Sequence, residues 1–259
     1  MGIKELPKLP KFSKESPKIV KVLDRIRFDL DKKEEYSEFC WFSREYPRCY
    51  RYHLNCAEFR LKSIYKKYQE AHKYFSNQLM KVEENCYEIS YSNPQTYIIY
   101  WDFESYLSTI NSALDLLARI VGTAYYEQMP ISFNKLCKKN LDGLAVILKK
   151  AQLKWVSRMK DYRDCLIHFT PIDTILGISA GRYSSGWELR GKLPVNPNVR
   201  DILGFKFSRR VELLKYAISV FRNMSALDAA VSKEIHKLYR AEQYPKCITN
   251  LFFRGSRIK

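Results

Sequence analysis

The chain has 259 residues, and 46% of them are hydrophobic, which is enough to build a core and excludes a wholly disordered chain. Lysine and arginine outnumber the acidic residues 45 to 28, and the formal charge of +17 favours a polyanionic partner, either nucleic acid or an anionic membrane surface. Basic faces that are simply solvated are the alternative explanation. No apolar run approaches the roughly 18 residues of a membrane-spanning helix, so we do not expect the chain to cross a membrane. Of the two polyanionic partners we expect nucleic acid, in the form of RNA, and no membrane.

The seven cysteines are odd in number, so they cannot all pair within the chain. No two of them form a C-x-x-C pair, and a zinc site is therefore not expected. Free thiols are typical of a reducing cytosol. The first 21 residues are basic but lack the apolar stretch of a secretory signal. We therefore expect a cytoplasmic protein that uses no cofactor.

Residues 1–50 are predicted to form a basic N-terminal arm followed by short leading elements. Pro7, Pro10 and Pro17 interrupt any helix there, and the lysines between them repel one another. Either the arm is flexible and lies along a phosphate backbone, or it is a tail without a role. Residues 51–259 are predicted to form one helical domain.

Two helices are predicted in the first half of that domain. Apolar residues recur at helical spacing over residues 55–88 and mark one buried stripe. From Phe103 to Val121 the apolar positions step alternately by four and three, which is typical of a helix packed against other helices. Asp102 is in place to cap the start of this second helix.

Two further helices are predicted over residues 141–169 and 211–240, again from an apolar stripe. Between them, residues 170–208 are rich in glycine and proline and form an irregular insertion, in which Trp187–Leu193 can make a hairpin. The four patterns together predict a mostly α fold, a four-helix bundle with this insertion before the last helix.

The third helix ends on Tyr162-Arg163-Asp164-Cys165-Leu166-Ile167-His168. An arginine, an acidic residue next to it, and a histidine after four intervening residues resemble the signature of the HEPN ribonucleases, a family of small α-helical RNA-cutting proteins. The resemblance covers roughly residues 55–240, and it implies a HEPN-type helical bundle. It also implies that Arg163 and His168 are catalytic and that Asp164 supports them.

Arginine and histidine suit the cleavage of RNA by its own 2′-hydroxyl. Arginine holds phosphate oxygens in a fork, and histidine exchanges protons near neutral pH. At about 100° per residue, His168 is rotated by about 140° from Arg163, so both reach one cleft only if the helix end unwinds or a second helix meets it. The resemblance implies a homodimer whose two Arg–His pairs share one cleft and cut RNA without metal.

The resemblance also implies a polar residue on the second helix that faces the active cleft. Glu104, Asn111 and Asp115 are the candidates, unless all three lie on the solvated face. In some members of the family a tyrosine two positions after the histidine is modified by a partner protein. Thr170 stands there in this chain, which leaves the antitoxin or other regulatory partner open.

The insertion supplies further candidates for contact with RNA. Cationic side chains grip phosphates and aromatic rings stack on bases. The residues with this chemistry are Arg182, Tyr183, Arg190, Lys192 and Arg200.

The sequence thus predicts a metal-independent endoribonuclease, either a toxin or a phage-defence effector. A catalytically silent helical RNA-binding or regulatory module is the alternative. A structural or interaction protein with no role on nucleic acid is the third hypothesis.

Overall fold

The computed structural model describes residues 2–12, 15–30, 37–79, 87–91, 94–125, 132–168, 177–183, 186–199 and 202–240. Its α-helices are α1 (Lys18–Leu30), α2 (Ser37–Leu79), α3 (Pro94–Ala124), α4 (Phe133–Leu136), α5 (Asp142–Ala151), α6 (Ser157–His168) and α7 (Leu213–Arg240). A π-helix, Gln152–Val156, joins α5 to α6, and Ile202–Gly204 form a 3-10 turn. The strands are β1 (Glu88–Tyr91), β2 (Ile178–Tyr183), β3 (Gly186–Pro194) and β4 (Phe207–Glu212).

The four strands form one antiparallel sheet in the order β1-β2-β3-β4. Helices α3 to α6 lie between β1 and β2 along the chain, so the first pairing of the sheet is long-range. In the register, Glu88 pairs with Gly181, and Arg190 pairs with Ser179. The sheet thereby brings residues that are far apart in the sequence, from Glu88 in β1 to Glu212 in β4, into one part of the structure.

The predicted four-helix bundle is wrong, although the expectation of a mostly helical chain holds in part. Within the described residues β2 and β3 lie in the insertion and β4 begins at its end, and along β3 the buried residues alternate rather than recur every three or four positions. Trp187–Leu193 lies within the single strand β3 and is not a hairpin by itself. The hairpin is formed by β2 and β3 together.

Two helix boundaries differ from the prediction. Helix α2 begins at Ser37, well before residue 55, and runs through Pro47, which is tolerated inside the helix. Helix α3 begins at Pro94, a residue favoured in the first turn because its missing amide hydrogen has no helical partner there. Asp102 is therefore not a cap but a buried residue within α3, where it accepts hydrogen bonds from Arg60 and Ser63.

The core positions of the two central helices are those that the spacing predicts. On α3, the buried residues include Phe103, Leu107, Ile110, Leu114, Leu117 and Val121. Along α5, the π-helix and α6, they include Leu144, Leu148, Ala151, Trp155, Met159, Tyr162 and Leu166. The predicted helix over residues 141–169 is therefore three consecutive helical segments, and each of them buries residues of the predicted stripe.

The chain divides into two compact units, and α2, α3 and α7 each contribute a segment to both. Unit 1 comprises residues 1–12, 56–108 and 157–222, and so contains the sheet and α6. Unit 2 comprises residues 13–55, 109–156 and 223–259, and contains α1, α4 and α5.

The first residues of the chain lie against the sheet of unit 1. The amide of Lys4 donates to the carbonyl of Trp187 at 2.8 Å, and its ammonium group pairs with Glu188 at 2.6 Å. Farther along, the Phe12 ring packs edge-on against Phe221, with 5.2 Å between centroids. Lys4 and Phe12 of the predicted N-terminal arm thus have defined contacts within unit 1.

Fully buried tyrosines connect the elements within each unit. In unit 1, the hydroxyl groups of Tyr100, Tyr106 and Tyr162 donate to the backbone carbonyls of Lys192, Ala217 and Pro194 respectively. Burial raises the pKa of all three phenols. They stay neutral donors, and each bond offsets the cost of removing a hydroxyl group from water. These three rings belong to the core, whereas other described aromatic side chains, among them Phe28, Phe59 and Trp101, are exposed.

Candidate nucleic-acid interface

The residues of the predicted signature lie on α6 in unit 1. Both Nε and Nη2 of Arg163 donate to Oδ1 of Asp164, at 3.0 and 2.7 Å. The two side chains are 28% and 45% exposed, so the pair faces solvent. Asp164 thus holds the guanidinium group in a fixed orientation and leaves part of it accessible to an anion.

His168 is exposed and forms the last residue of α6. The helix stays α-helical through this residue, so the end does not unwind before it. Five helical steps separate His168 from Arg163, which places the two side chains about 140° apart around the axis and about 7.5 Å apart along it. Within one chain the two side chains therefore diverge.

The three polar candidates on α3 have different surroundings. Glu104 is half-buried in unit 1, and within the described residues neither a hydrogen bond nor an ion pair joins it to Arg163. Asp115 belongs to unit 2, where its Oδ1 accepts the backbone amide of Phe133 at 2.8 Å, at the start of α4. The side-chain amide of Asn111 donates to Asp115 at 3.4 Å. Asn111 and Asp115 thus support the connection to α4.

A cavity of about 360 Å³ lies over the strands of unit 1, and we name it the sheet cavity. Its lining combines cationic, aromatic and small residues: Tyr87, Glu88, Ser179, Gly181, Arg182, Tyr183, Arg190, Lys192, Leu193, Phe207, Ser208 and Val211. The sequence predicts five residues for contact with RNA. Four of them, on β2 and β3, line the sheet cavity. The fifth, Arg200, lies outside the described residues.

Alternation along β3 places Glu188, Arg190 and Lys192 on one face of the sheet. Trp187, Leu189 and Leu193 are buried at every second position, and Arg190 and Lys192 stand between them. Successive side chains of a strand point to opposite faces, so burying one set directs the cations to the other.

Arg190 of the sheet cavity is held by several contacts. Its Nη1 donates to the hydroxyl group of Tyr183 at 3.0 Å, and its Nη2 donates to the carbonyl of Ser208 at 2.8 Å. The guanidinium carbon also lies 5.9 Å from the centroid of the Tyr183 ring, within the range of a cation–π contact. These contacts fix a positive charge beside an aromatic ring.

Gly181 makes room for that ring. A Cβ atom at this position would come within 2.7 Å of the Tyr183 hydroxyl oxygen, closer than any ordinary contact. The absence of a side chain therefore allows Tyr183 to fold over β2 and form one wall of the sheet cavity.

Glu88 balances part of the positive charge. Lys192 Nζ lies 3.3 Å from Glu88 Oε1, and both side chains are nearly half exposed. A hydrogen bond from Ser179 and, more weakly, the charge of Lys192 lower the pKa of Glu88, against the effect of burial. The carboxylate therefore stays ionised and orients Lys192.

No sequence pattern points to Glu88, Tyr87 or Phe207 as residues of the site. Glu88 was placed at the end of a predicted helix, whereas it is the first residue of β1. Placing Glu88 at the site requires the pairing of β1 with β2, and no local sequence pattern predicts that pairing.

A hydrogen bond joins the signature helix to the end of β3 within unit 1. Tyr162 precedes Arg163 on α6, and its hydroxyl group donates to the carbonyl of Pro194 at 2.6 Å. Pro194 ends β3, two residues after Lys192. This bond fixes the course of α6 against the end of the strand that carries two of the cavity cations.

No protein-family model, curated protein or solved structure matched this chain. Among the described residues, no group of three or more histidine, cysteine or acidic side chains is arranged to hold a metal ion. None of the described helices combines the length and apolar character needed to cross a bilayer.

Proposed function

We propose that this protein binds single-stranded RNA through the sheet cavity. The observation that carries the proposal is the Arg190–Tyr183 pair, which presents a fixed cation and an aromatic ring side by side. Single-stranded nucleic acids are bound by this combination, in which rings stack on bases and cations contact phosphates. Arg182 and Lys192 extend the positive surface, and the chain's charge of +17 supports attraction of a polyanion.

A single strand fits the sheet cavity better than a duplex. A volume of about 360 Å³ is in the range of sites for small molecules and single nucleotides. Bases in a duplex are already stacked on one another, so Tyr183 is accessible only to an unpaired base.

The test is fluorescence anisotropy of a labelled single-stranded RNA with wild type and charge variants. We expect Lys192→Gln and Arg182→Gln each to weaken binding on the order of tenfold or more, the usual effect of losing a hydrogen bond to a charged group. Lys66→Gln is the matched control, because Lys66 is an exposed lysine of unit 1 that does not line the sheet cavity. Equal losses in all three variants would mean that the RNA responds only to overall charge.

RNA cleavage by α6 is a second candidate function. It is favoured by the Arg163–Asp164 pair, which orients a partly exposed guanidinium group, and by the exposed His168 on the same helix. In this reaction the 2′-oxygen attacks the adjacent phosphorus and the bond to the 5′-oxygen breaks. His168 takes the 2′-hydroxyl proton as a base and, once protonated, gives a proton to the 5′-oxygen as an acid, while Arg163 stabilises the negative charge on the phosphate oxygens. The products are a cyclic phosphate and a 5′-hydroxyl group.

Two copies of the chain can bring an Arg163 and a His168 side chain to the same phosphate more readily than one copy can. Arg163 and His168 diverge by about 140° on a regular helix, so one α6 cannot direct both at the same phosphate. In a symmetric dimer, Arg163 of one copy and His168 of the other can face a common cleft.

The cleavage assay uses a fluorogenic RNA in the presence of EDTA. His168→Ala and Arg163→Ala should both abolish cleavage, with little change in melting temperature because neither side chain is in the core. His236→Ala is the matched histidine control and should cut like wild type. If the two signature variants keep full activity while the sheet-cavity variants lose RNA affinity, the protein binds RNA without cutting it.

A further inference from the structure

Four arginines line a second cavity, located in unit 2 and of about 380 Å³. We name it the arginine cleft. Beside α1 it is lined by Ser16, Val20, Asp24 and Arg27, spaced by four, four and three residues. On α2 it is lined by Arg44, Pro47, Arg48 and Arg51, spaced by three, one and three. Such spacings place each set on one face of its helix, so the four cations converge on the same space.

Acidic side chains compensate only part of this charge. Among the described residues that line the arginine cleft, Asp24 is the one carboxylate, and it lies 3.7 Å from Nη2 of Arg27. Outside the lining, Glu45 is shared between Arg44, at 2.9 Å, and Arg48, at 3.6 Å. No described carboxylate pairs with Arg51. Two carboxylates thus compensate the charge of four guanidinium groups only in part, and the arginine cleft keeps an excess of positive charge.

Arg27 also carries a donor that the described protein does not satisfy. Its Nε atom is buried and has no hydrogen-bond partner in the described part of the chain. A buried donor without an acceptor is unfavourable, so the protein around Arg27 satisfies its guanidinium group only in part.

We propose that the arginine cleft binds an oligophosphate anion. Guanidinium groups recognise phosphate oxygens through paired hydrogen bonds, and several of them are needed for an anion of high charge. None of the described lining residues is aromatic, in contrast to the three rings of the sheet cavity. The arginine cleft therefore recognises the phosphates and makes no stacking contact with a base. Its ligand is either an inorganic oligophosphate or the phosphate chain of a nucleotide.

The probes for the test are inorganic tripolyphosphate, ATP, AMP and adenosine, titrated calorimetrically into the full chain at physiological ionic strength. We expect one tripolyphosphate per chain, ATP of similar affinity, much weaker AMP and no binding of adenosine. ATP that binds far more tightly than tripolyphosphate would overturn recognition by phosphate alone. An absence of saturable tripolyphosphate binding would overturn the site itself.

Charge variants locate the binding. Arg44→Gln and Arg51→Gln should each weaken tripolyphosphate binding on the order of ten- to a hundredfold, the effect of losing a charged hydrogen bond. Both side chains are exposed, so the fold should tolerate the changes. Arg25→Gln is the matched control, since Arg25 is an exposed arginine of α1 that does not line the arginine cleft. An equal loss in Arg25→Gln would show a diffuse charge effect and overturn the proposal.

The arginine cleft is separable from the sheet cavity. Arg182→Gln should leave tripolyphosphate binding unchanged, because Arg182 lines the sheet cavity in unit 1. If Arg182→Gln removes tripolyphosphate binding and Arg51→Gln does not, the anion occupies the sheet cavity and the proposed cleft is wrong. Failure of RNA binding in wild type, with tripolyphosphate binding intact, would instead remove the proposed function and leave this site standing.

Discussion

The hydroxyl group of Tyr68 donates a 2.6 Å hydrogen bond to Oε1 of Glu212, and both side chains are buried. The same carboxylate accepts the backbone amides of Gly191, Leu214 and Lys215. Leu214 and Lys215 are in the first turn of α7, where amides have no helical partner, so Glu212 acts as the N-cap. One carboxylate thus joins α2, β3 and α7 within unit 1, the unit that holds the sheet cavity.

Tyr68→Phe tests the strength of this junction. Burial, and next the Glu212 carboxylate, raise the pKa of Tyr68 well above its usual value, so the phenol is a neutral donor. Its removal should lower the free energy of unfolding by about 1.5–3 kcal/mol, the usual value of a hydrogen bond to a charged group. Urea denaturation measures this loss. Tyr65→Phe on the same helix is the control, because Tyr65 is half-exposed, and it should change stability by much less.

Gly191→Ala should disturb the same junction by steric overlap. A Cβ atom at Gly191 would lie 2.2 Å from the Tyr68 hydroxyl oxygen and 3.0 Å from Cβ of Leu213. Overpacking of this kind costs about 1–3 kcal/mol. Gly177→Ala is the matched control, because nothing lies within 4 Å of a Cβ atom there. Thermal melts should separate the two variants, and equal melting temperatures would contradict the packing at Gly191.

Asp228 predicts a pH dependence of stability in unit 2. The carboxylate is 6% exposed and accepts the amide of Lys18 at 2.9 Å and the hydroxyl group of Tyr50 at 3.3 Å. Burial raises its pKa, and these hydrogen bonds only partly oppose the effect. The native state therefore binds the proton more tightly than the unfolded chain, in which an aspartic acid has a pKa of about 3.9.

The sign of the effect follows from this difference. The contribution of Asp228 to stability is complete below the unfolded pKa of about 3.9, and it is lost as the pH rises through the raised native pKa. Each unit of pKa difference corresponds to about 1.4 kcal/mol. Asp228→Asn cannot titrate, so the variant should gain stability relative to wild type as the pH rises across this window. Denaturation at a series of pH values tests this, and parallel curves for the two proteins would refute it.

The helical core was predictable because its signal is local. Phe103 and Val121 lie on one seam whose spacing depends only on the 3.6-residue turn, and both are buried. The start of α3 was not predictable in the same way. Asp102 has the chemistry of a cap, but it is used inside the helix as the acceptor for Arg60 and Ser63. Both of these donors lie on α2, far away in the sequence.

The sheet could be predicted only in part. Trp187, Leu189 and Leu193 alternate with polar residues, and this period of two is typical of a strand. The glycines and turn-forming residues in and around this segment favour a short hairpin instead. The pairing of Glu88 with Gly181 depends on how α3 to α6 fold between them, so the sequence alone cannot give it.

The same limit applies to the candidate site. Residue type alone predicts contact with RNA for Arg182, Tyr183, Arg190 and Lys192, and all four line the sheet cavity. The sequence could not show that Glu88 balances Lys192, because that contact requires the sheet. Whether these residues bind RNA stays a prediction.

RNA affinity should fall steeply with salt, because each phosphate contact releases bound counterions. For single strands, the slope of log K against log salt concentration changes by about 0.7 per contact. Lys192→Gln should therefore reduce the slope by about 0.7, while the exposed Lys66→Gln should leave it unchanged. Anisotropy titrations between low and physiological salt provide the slopes. RNA binding that is absent, or insensitive to salt, would support an interaction protein without a role on nucleic acid.

Arg163 and His168 diverge on α6, so a cleavage site that uses both of them needs a second copy of the chain. If the site combines Arg163 of one copy with His168 of another, the protein must be a dimer at working concentration. Light scattering at micromolar concentration should show twice the mass of the chain. A strict monomer that still cleaves RNA would contradict the shared site.

Mixing inactive variants provides the decisive measurement. Arg163→Ala and His168→Ala are each expected to be inactive, but a dimer of one with the other retains one intact Arg163 and one intact His168. In an equal mixture, half of the dimers contain one copy of each variant. If Arg163 and His168 meet across the dimer, each mixed dimer has one working site of two, so cleavage should recover to about a quarter of the wild-type rate. A mixture of Arg163→Ala with the double variant Arg163→Ala/His168→Ala contains no Arg163 and should stay inactive. If subunit exchange is verified and the first mixture also stays inactive, the two residues do not form a site across the dimer.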